Sequence, residues 1–191
     1  MSSVMMALEA WMSSNRLRHN PAKTKFIWVG TSQQLVRLSI SALAAAIPNF
    51  TFSSSGRDLG IILDRELTFA VHINLLSRDC FYQLRQLRTV ACSLTASATS
   101  TFIHAFVTNR LDYSCSLYAG LPAGRSWCLD RILRYATHTF GSIPKFGHVS
   151  GYMHDVLHWL LSEPRIAYMI SALVWCSLLD LTQLIFVSFI V

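Results

Sequence analysis

Acidic side chains are the natural starting point, because chemistry on phosphate esters uses paired carboxylates to hold two metal ions. The 191-residue chain has ten Asp and Glu and no Asp-Asp, Asp-Glu or Glu-Glu pair. Between Ala10 and Arg57 there is no acidic residue at all. The scattered carboxylates therefore read as helix caps and surface partners. His154 and His158 stand four apart, superficially like a His-Glu-x-x-His zinc helix, but Asp155 follows His154 and no third ligand is evident. Packed histidines beside Trp159 are the expectation. The five cysteines (80, 92, 115, 128 and 176) form no Cys-x-x-Cys pair, so neither a zinc knuckle nor a disulfide framework is indicated. A reduced, intracellular compartment is the corresponding reading. The start of the chain lacks the charged-then-apolar order of a secretory signal. No Ser/His/Asp or Cys/His combination has a supporting motif.

Cations tell a different story. Arginine supplies 13 of the 16 positive charges, and the formal net charge is +6 although only 14% of residues are charged. Arginine forks onto phosphates and stacks on bases, which leans toward a nucleic-acid partner. Arg16, Arg18, Lys23, Lys25, Arg37 and Arg57 face no acid within 10–57. Such a one-signed stretch attracts phosphate through counterion release, with a solvated positive face as the alternative. Arg78, Arg85 and Arg88, spaced seven and three apart, fall on one helix face. Arg110-Leu-Asp112-Tyr113 reads as a helix-terminal Arg–Asp pair with a buried tyrosine anchor.

The elements that position these groups follow from periodicity and punctuation. Residues 7–18 suit a short amphipathic helix stopped by Asn20-Pro21. Strands are expected over 25–30 and 36–40, and a hairpin whose arms, 49–52 and 58–63, flank a Ser/Gly turn at 53–56. From Val71 to Val90 the apolar spacing is helical. Thr95 is expected to cap a second helix running to about Tyr118, followed by helices over 127–139, 151–160 and from Arg165, the last two broken at Pro164. The predicted fold class is α+β: a short helix and β-hairpin segment (1–68), a mainly α-helical bundle (69–178) and a divergent hydrophobic tail (179–191). The mean hydropathy of +0.40 arises largely from 166–191, where Asp180 is the single charge. That stretch has the length to span a bilayer.

Several blocks in order resemble the end of a reverse transcriptase of LINE-type, non-LTR retrotransposons. These are AWMSSNRLRHNPAKTKFIWVG (10–30), RDLGIILDRELTF (57–69), HINLLSRDCFYQLRQLRTVACSLT (72–95), FIHAFVTNRLDYSCSLYAGLP (102–122) and VLHWLLSEPRIAY (156–168). The resemblance implies the end of the palm with a primer-grip hairpin, then a helical thumb. It implies RNA-directed DNA polymerase activity with Mg2+ in the parent enzyme, whose paired carboxylates lie upstream of the matched blocks; for this chain it implies no catalysis and no cofactor. Lys23 is placed beside the incoming nucleotide's phosphates, Leu59 and Gly60 at the primer, and Arg78, Arg85 and Arg88 along a template–primer duplex. Arg16, Arg18 and Lys25 complete the expected nucleic-acid-binding set. Expected partners are an RNA/DNA primer–template duplex and the missing N-terminal polymerase part. Departures such as Ser114-Cys115 after Asp112-Tyr113 mark a drifted copy. Two other readings stand beside this one. One is a small tail-anchored membrane protein through 166–191. The other is a translated relic with no independent function, favoured by Met1 entering mid-domain.

Overall fold

The computed structural model describes residues 2–18, 20, 24–37, 51–144 and 146–179. The fold is α+β, mostly helical with small β-pairs, and the chain divides into two compact units, Met1–Thr68 and Phe69–Val191.

In the first unit, helix α1 (Ser2–Ser14) is followed by β1 (Lys25–Phe26), α2 (Ser32–Val36), β2 (Thr51–Phe52), β3 (Ser55–Asp58) and β4 (Ile61–Asp64). β1 and β2 pair in parallel with Phe26 opposite Phe52, their rings 5.8 Å apart. The expected strand over 36–40 is corrected where it is described: Ser32–Val36 is helical, and 38–40 lie outside the described residues. Thr31 and Gln34 form a capping box there, each side chain serving the other's backbone N–H. That local pairing satisfies two otherwise orphaned donors and starts a helix in spite of the strand-like alternation that follows.

The hairpin is also shifted. Its arms are β3 and β4, with Asp58 opposite Ile61, so the loop is Leu59-Gly60 and not the Ser/Gly stretch. Leu59 has φ +44° and Gly60 φ +88°. Positive φ at both positions is what a two-residue type I′ turn requires, because its twist matches that of the strands.

The second unit contains α3 (Ala70–Val90), α4 (Ala96–Ile103), a π turn (His104–Thr108) leading into α5 (Asn109–Asp112), a 3-10 turn (Cys115–Tyr118), α6 (Ala123–Phe140), a second π turn (Tyr152–Val156) and α7 (Ser162–Leu178). Thr95 caps α4 as expected, accepting from Ala98 N at 3.2 Å. The helix expected over 151–160 shortens to its π turn, and Pro164 lies inside the first turn of α7, where no intrahelical N–H bond is lost.

α3 and α6 form the main helix pair. Ile73, Cys80 and Leu84 of α3 and Ile132, Leu133 and Ala136 of α6 are essentially inaccessible to solvent. Phe69 precedes α3 at φ +53°, an unfavourable conformation for a bulky residue, with its ring held edge-on against Tyr118 at 5.8 Å. Two polar contacts tie α7 down. Asp130 of α6 accepts from Ser162 N (2.8 Å) and Ser162 Oγ (2.7 Å), supplying the cap that Leu161 lacks. Arg165 donates to Asp112 Oδ1 at 2.5 Å.

Candidate nucleic-acid interface

The cations of the first unit are displayed on short, open elements. Arg16 follows α1 at φ +58°, where Leu17 N bonds back to Met12 O at 2.8 Å and turns the chain out of the helix. Arg16, Arg18 and Lys25 are all exposed, Lys25 on the outward side of β1. Lys23 lies outside the described residues. Leu59 is 79% exposed at the hairpin tip. A Cβ added to Gly60 would meet nothing within 4 Å, so glycine answers to the backbone angle at this position and not to crowding.

In the second unit α3 carries the arginine row. At about 100° per residue, Arg78 and Arg85 fall within roughly 20° of each other on the side facing away from Ile73, Cys80 and Leu84, whereas Arg88 lies about 60° further round. All three are exposed. The row is therefore not one face: Arg78 and Arg85 point outward, and Arg88 turns toward α6. There it lines a groove of about 440 Å³ with Phe81, Arg131, Arg134, Tyr135, His138 and Ile143.

No carboxylate lines this groove. Two arginines elsewhere in the unit are paired: Arg110 lies 3.6 Å from Asp79, and Arg165 is bonded to Asp112. Arg88, Arg131 and Arg134 have no such partner within salt-bridge distance among the described residues. Arg131 instead places its guanidinium 4.8 Å from the Trp127 ring centroid and 5.7 Å from that of Phe81. Phe81 in turn meets Tyr135 edge-on at 5.6 Å. Arg134 donates to Ser150 Oγ at 3.3 Å.

Arg131 and Arg134 were not among the sequence-derived candidates. Their signal was present, since Trp127, Arg131, Arg134 and His138 are spaced 4, 3 and 4 and so share one side of a helix. What could not be read was that this side lies along the Phe81–Arg88 edge of α3.

Two further expectations are corrected. Arg110 and Asp112 do not pair with each other but with other helices, and Tyr113 is 66% exposed. The buried anchor is Tyr118, whose hydroxyl lies 2.6 Å from Ser114 Oγ. His154 and His158 are exposed, His154 pairing with Asp155 at 2.7 Å, and the ring edge-on to Trp159 at 5.8 Å is that of His104. Among the described residues no three His, Cys, Asp or Glu side chains are grouped to hold a metal ion. Burial pushes the Cys80 thiol up to about 11, and burial, with Asp112 adding to it, raises that of Cys115, which disfavours the thiolate form in both.

Comparison of the chain with family models, with curated proteins and with solved structures returns no match.

Proposed function

We propose that the chain is the non-catalytic end of a non-LTR retrotransposon reverse transcriptase and binds a primer–template duplex through its basic residues. The family part of this reading rests on the ordered blocks between residues 10 and 168. The binding part rests on one observation: Arg78 and Arg85 on the outer side of α3, and Arg88 beside them, are exposed and lie beyond salt-bridge distance of any described carboxylate. A helix bearing unneutralised guanidinium groups releases condensed counterions when it meets a phosphate backbone, which makes affinity salt-dependent and sequence-independent. In the other unit, the Leu59-Gly60 tip fits the primer-side role that the resemblance implies, and Arg16, Arg18 and Lys25 are exposed to attract phosphate.

Fluorescence anisotropy with a labelled RNA–DNA hybrid tests this. Affinity should fall steeply with added salt. Replacing Arg78, Arg85 and Arg88 together by Ala should reduce the logarithmic salt slope by roughly 2 to 3, near 0.9 for each phosphate left unneutralised. Affinity indifferent to salt would overturn the reading.

A membrane role through 166–191 draws on one observation, the exposed Tyr168, Leu173, Val174, Trp175 and Leu178 of α7. No described helix is long and apolar enough to cross a membrane, and residues 180–191 of that stretch lie outside the described residues. Carbonate extraction decides between them: release of the chain into the supernatant excludes an inserted anchor.

A further inference from the structure

We infer that the groove between α3 and α6, together with the exposed Trp127 beside its Arg131, holds unpaired nucleotides of a single strand, with a base stacked on Trp127 and the neighbouring phosphates on Arg88 and Arg134. The inference rests on the nucleic-acid reading above and goes beyond it, because duplex binding requires neither an open aromatic face nor a groove.

Three features together select this ligand. Trp127 is 59% exposed while carrying Arg131 at 4.8 Å, so the indole is held by a cation and still presents area to solvent. Exposed tryptophan has a large apolar cost that a stacked base removes, and every base has a face to stack. Second, the groove begins one helical turn along α6 from Trp127, at Arg131, and Arg88 and Arg134 line it with no carboxylate to compete for them. Third, Trp127, Arg131, Arg134 and His138 run along α6 for about 16 Å at 1.5 Å per residue, a track longer than one nucleotide. A paired base is inaccessible to such a platform, since its faces are covered by its neighbours in the stack. Arg131 acts here as a positioning residue for the indole as well as a charge. An acidic peptide would use the same arginines but would gain nothing from the open indole.

The full chain should be titrated by anisotropy with labelled oligouridine of about ten nucleotides, within the site sizes of single-strand binders, and separately with a hybrid duplex. Trp127→Ala is expected to weaken oligouridine by about five-fold to a hundred-fold, the range for loss of one aromatic–base stack, and to leave duplex affinity within about two-fold. Trp127→Phe should restore most of the loss. Arg134→Ala, on an exposed side chain, should weaken oligouridine in the same sense, whereas Arg85→Ala should act on the duplex alone.

Oligouridine affinity insensitive to Trp127→Ala, or an equal loss with duplex, would overturn the groove as a single-strand site. So would displacement of the strand by oligoglutamate or by uridine monophosphate as effectively as by unlabelled oligouridine. If the duplex binds with salt sensitivity while Trp127 proves irrelevant, only this inference falls. If neither nucleic acid binds, the proposed function falls with it.

Discussion

The two units of the chain differ in how their side chains are covered. In Phe69–Val191, long helices bring apolar stripes face to face, and Ile73, Cys80, Leu84, Ile103 and Ile132 are fully shielded from solvent. In Met1–Thr68, no described residue is buried, and Val4, Met6 and Trp11 of α1 are more than half exposed. The reason is dimensional. Two-residue strands and a hairpin of two four-residue strands cannot form a layer broad enough to cover a helix, and a lone two-stranded sheet is marginal in water. The first unit thus displays cations on elements whose described residues are none of them buried, whereas the second displays them on helices whose other sides are fixed. Arg88, Arg131 and Arg134 keep a definite relation to one another because α3 and α6 are packed; among the described residues no comparable packing fixes Arg16 or Lys25.

The largest test of this contrast is a cavity. Leu133→Ala removes a side chain that is 1% exposed and should destabilise the second unit by about 2 to 5 kcal/mol. Phe52→Ala removes the half-buried partner of Phe26 in the first unit and should cost on the order of 1 kcal/mol, since the ring is already solvated on one side. Thermal denaturation followed by circular dichroism reads both. Equal losses would mean that the first unit has a core after all.

Alkaline pH should come next in size. The Cys80 thiol moves from about 9 to about 11 through burial, and burial also raises Cys115 and the Tyr118 hydroxyl. The folded state favours the neutral forms, so their contribution is complete below pH 9. As pH rises from about 9 to about 11 the unfolded thiol ionises while the folded one does not, and stability falls. For Cys80 alone that is about 2 to 3 kcal/mol at 1.36 kcal/mol per pH unit. The second unit should lose cooperativity there, with Cys80→Ala flattening the pH dependence at some cost to packing. A melting temperature independent of pH from 8 to about 11 would contradict the burial of these groups.

Smaller still is the tertiary cap of α7. Asp130→Ala leaves the Ser162 N–H without its acceptor in a partly buried site and should cost about 1 to 2 kcal/mol. Asp130→Asn retains an acceptor oxygen and should cost less. Urea denaturation of the two variants separates them, and identical midpoints for Asp130→Ala and the parent would show that the cap contributes nothing.

What could be read in advance follows the same divide. α3 was legible because its apolar spacing is long and regular, and α4 because Thr95 supplies a cap whose chemistry is local. The 151–160 helix was overextended since periodicity does not report the π turn that ends at Val156. In the first unit, five-residue windows leave several interactions of similar strength in competition. At Thr31–Gln34 a capping box starts a helix that takes in Val36, the first residue of the alternating run. The interface divides likewise: Arg78, Arg85 and Arg88 were visible as spacing on one helix, while the groove required knowing which side of α6 meets α3, a tertiary fact with no single-segment signature.

The hairpin tip provides the finest test, because it sets local preference against position. Leu59 occupies the first loop site of a two-residue turn at φ +44°, where a side chain without a local hydrogen-bonding group is strained by roughly 1 kcal/mol. Asn tolerates this region and Asn-Gly is the preferred pair for such a turn. Leu59→Asn should therefore stabilise the β3–β4 hairpin by several tenths of a kcal/mol up to about 1. Since Leu59 is largely exposed, little packing is forfeited. Amide exchange of Asp58 and Ile61, the hydrogen-bonded pair that closes the two-residue loop, reads the effect within the first unit alone. Slower exchange there, with α3 unaffected, would show that the first unit is limited by its turns. Faster exchange would mean that the leucine is held at the tip by contacts stronger than the strain of its backbone, and that the first unit is better packed than its exposed side chains suggest.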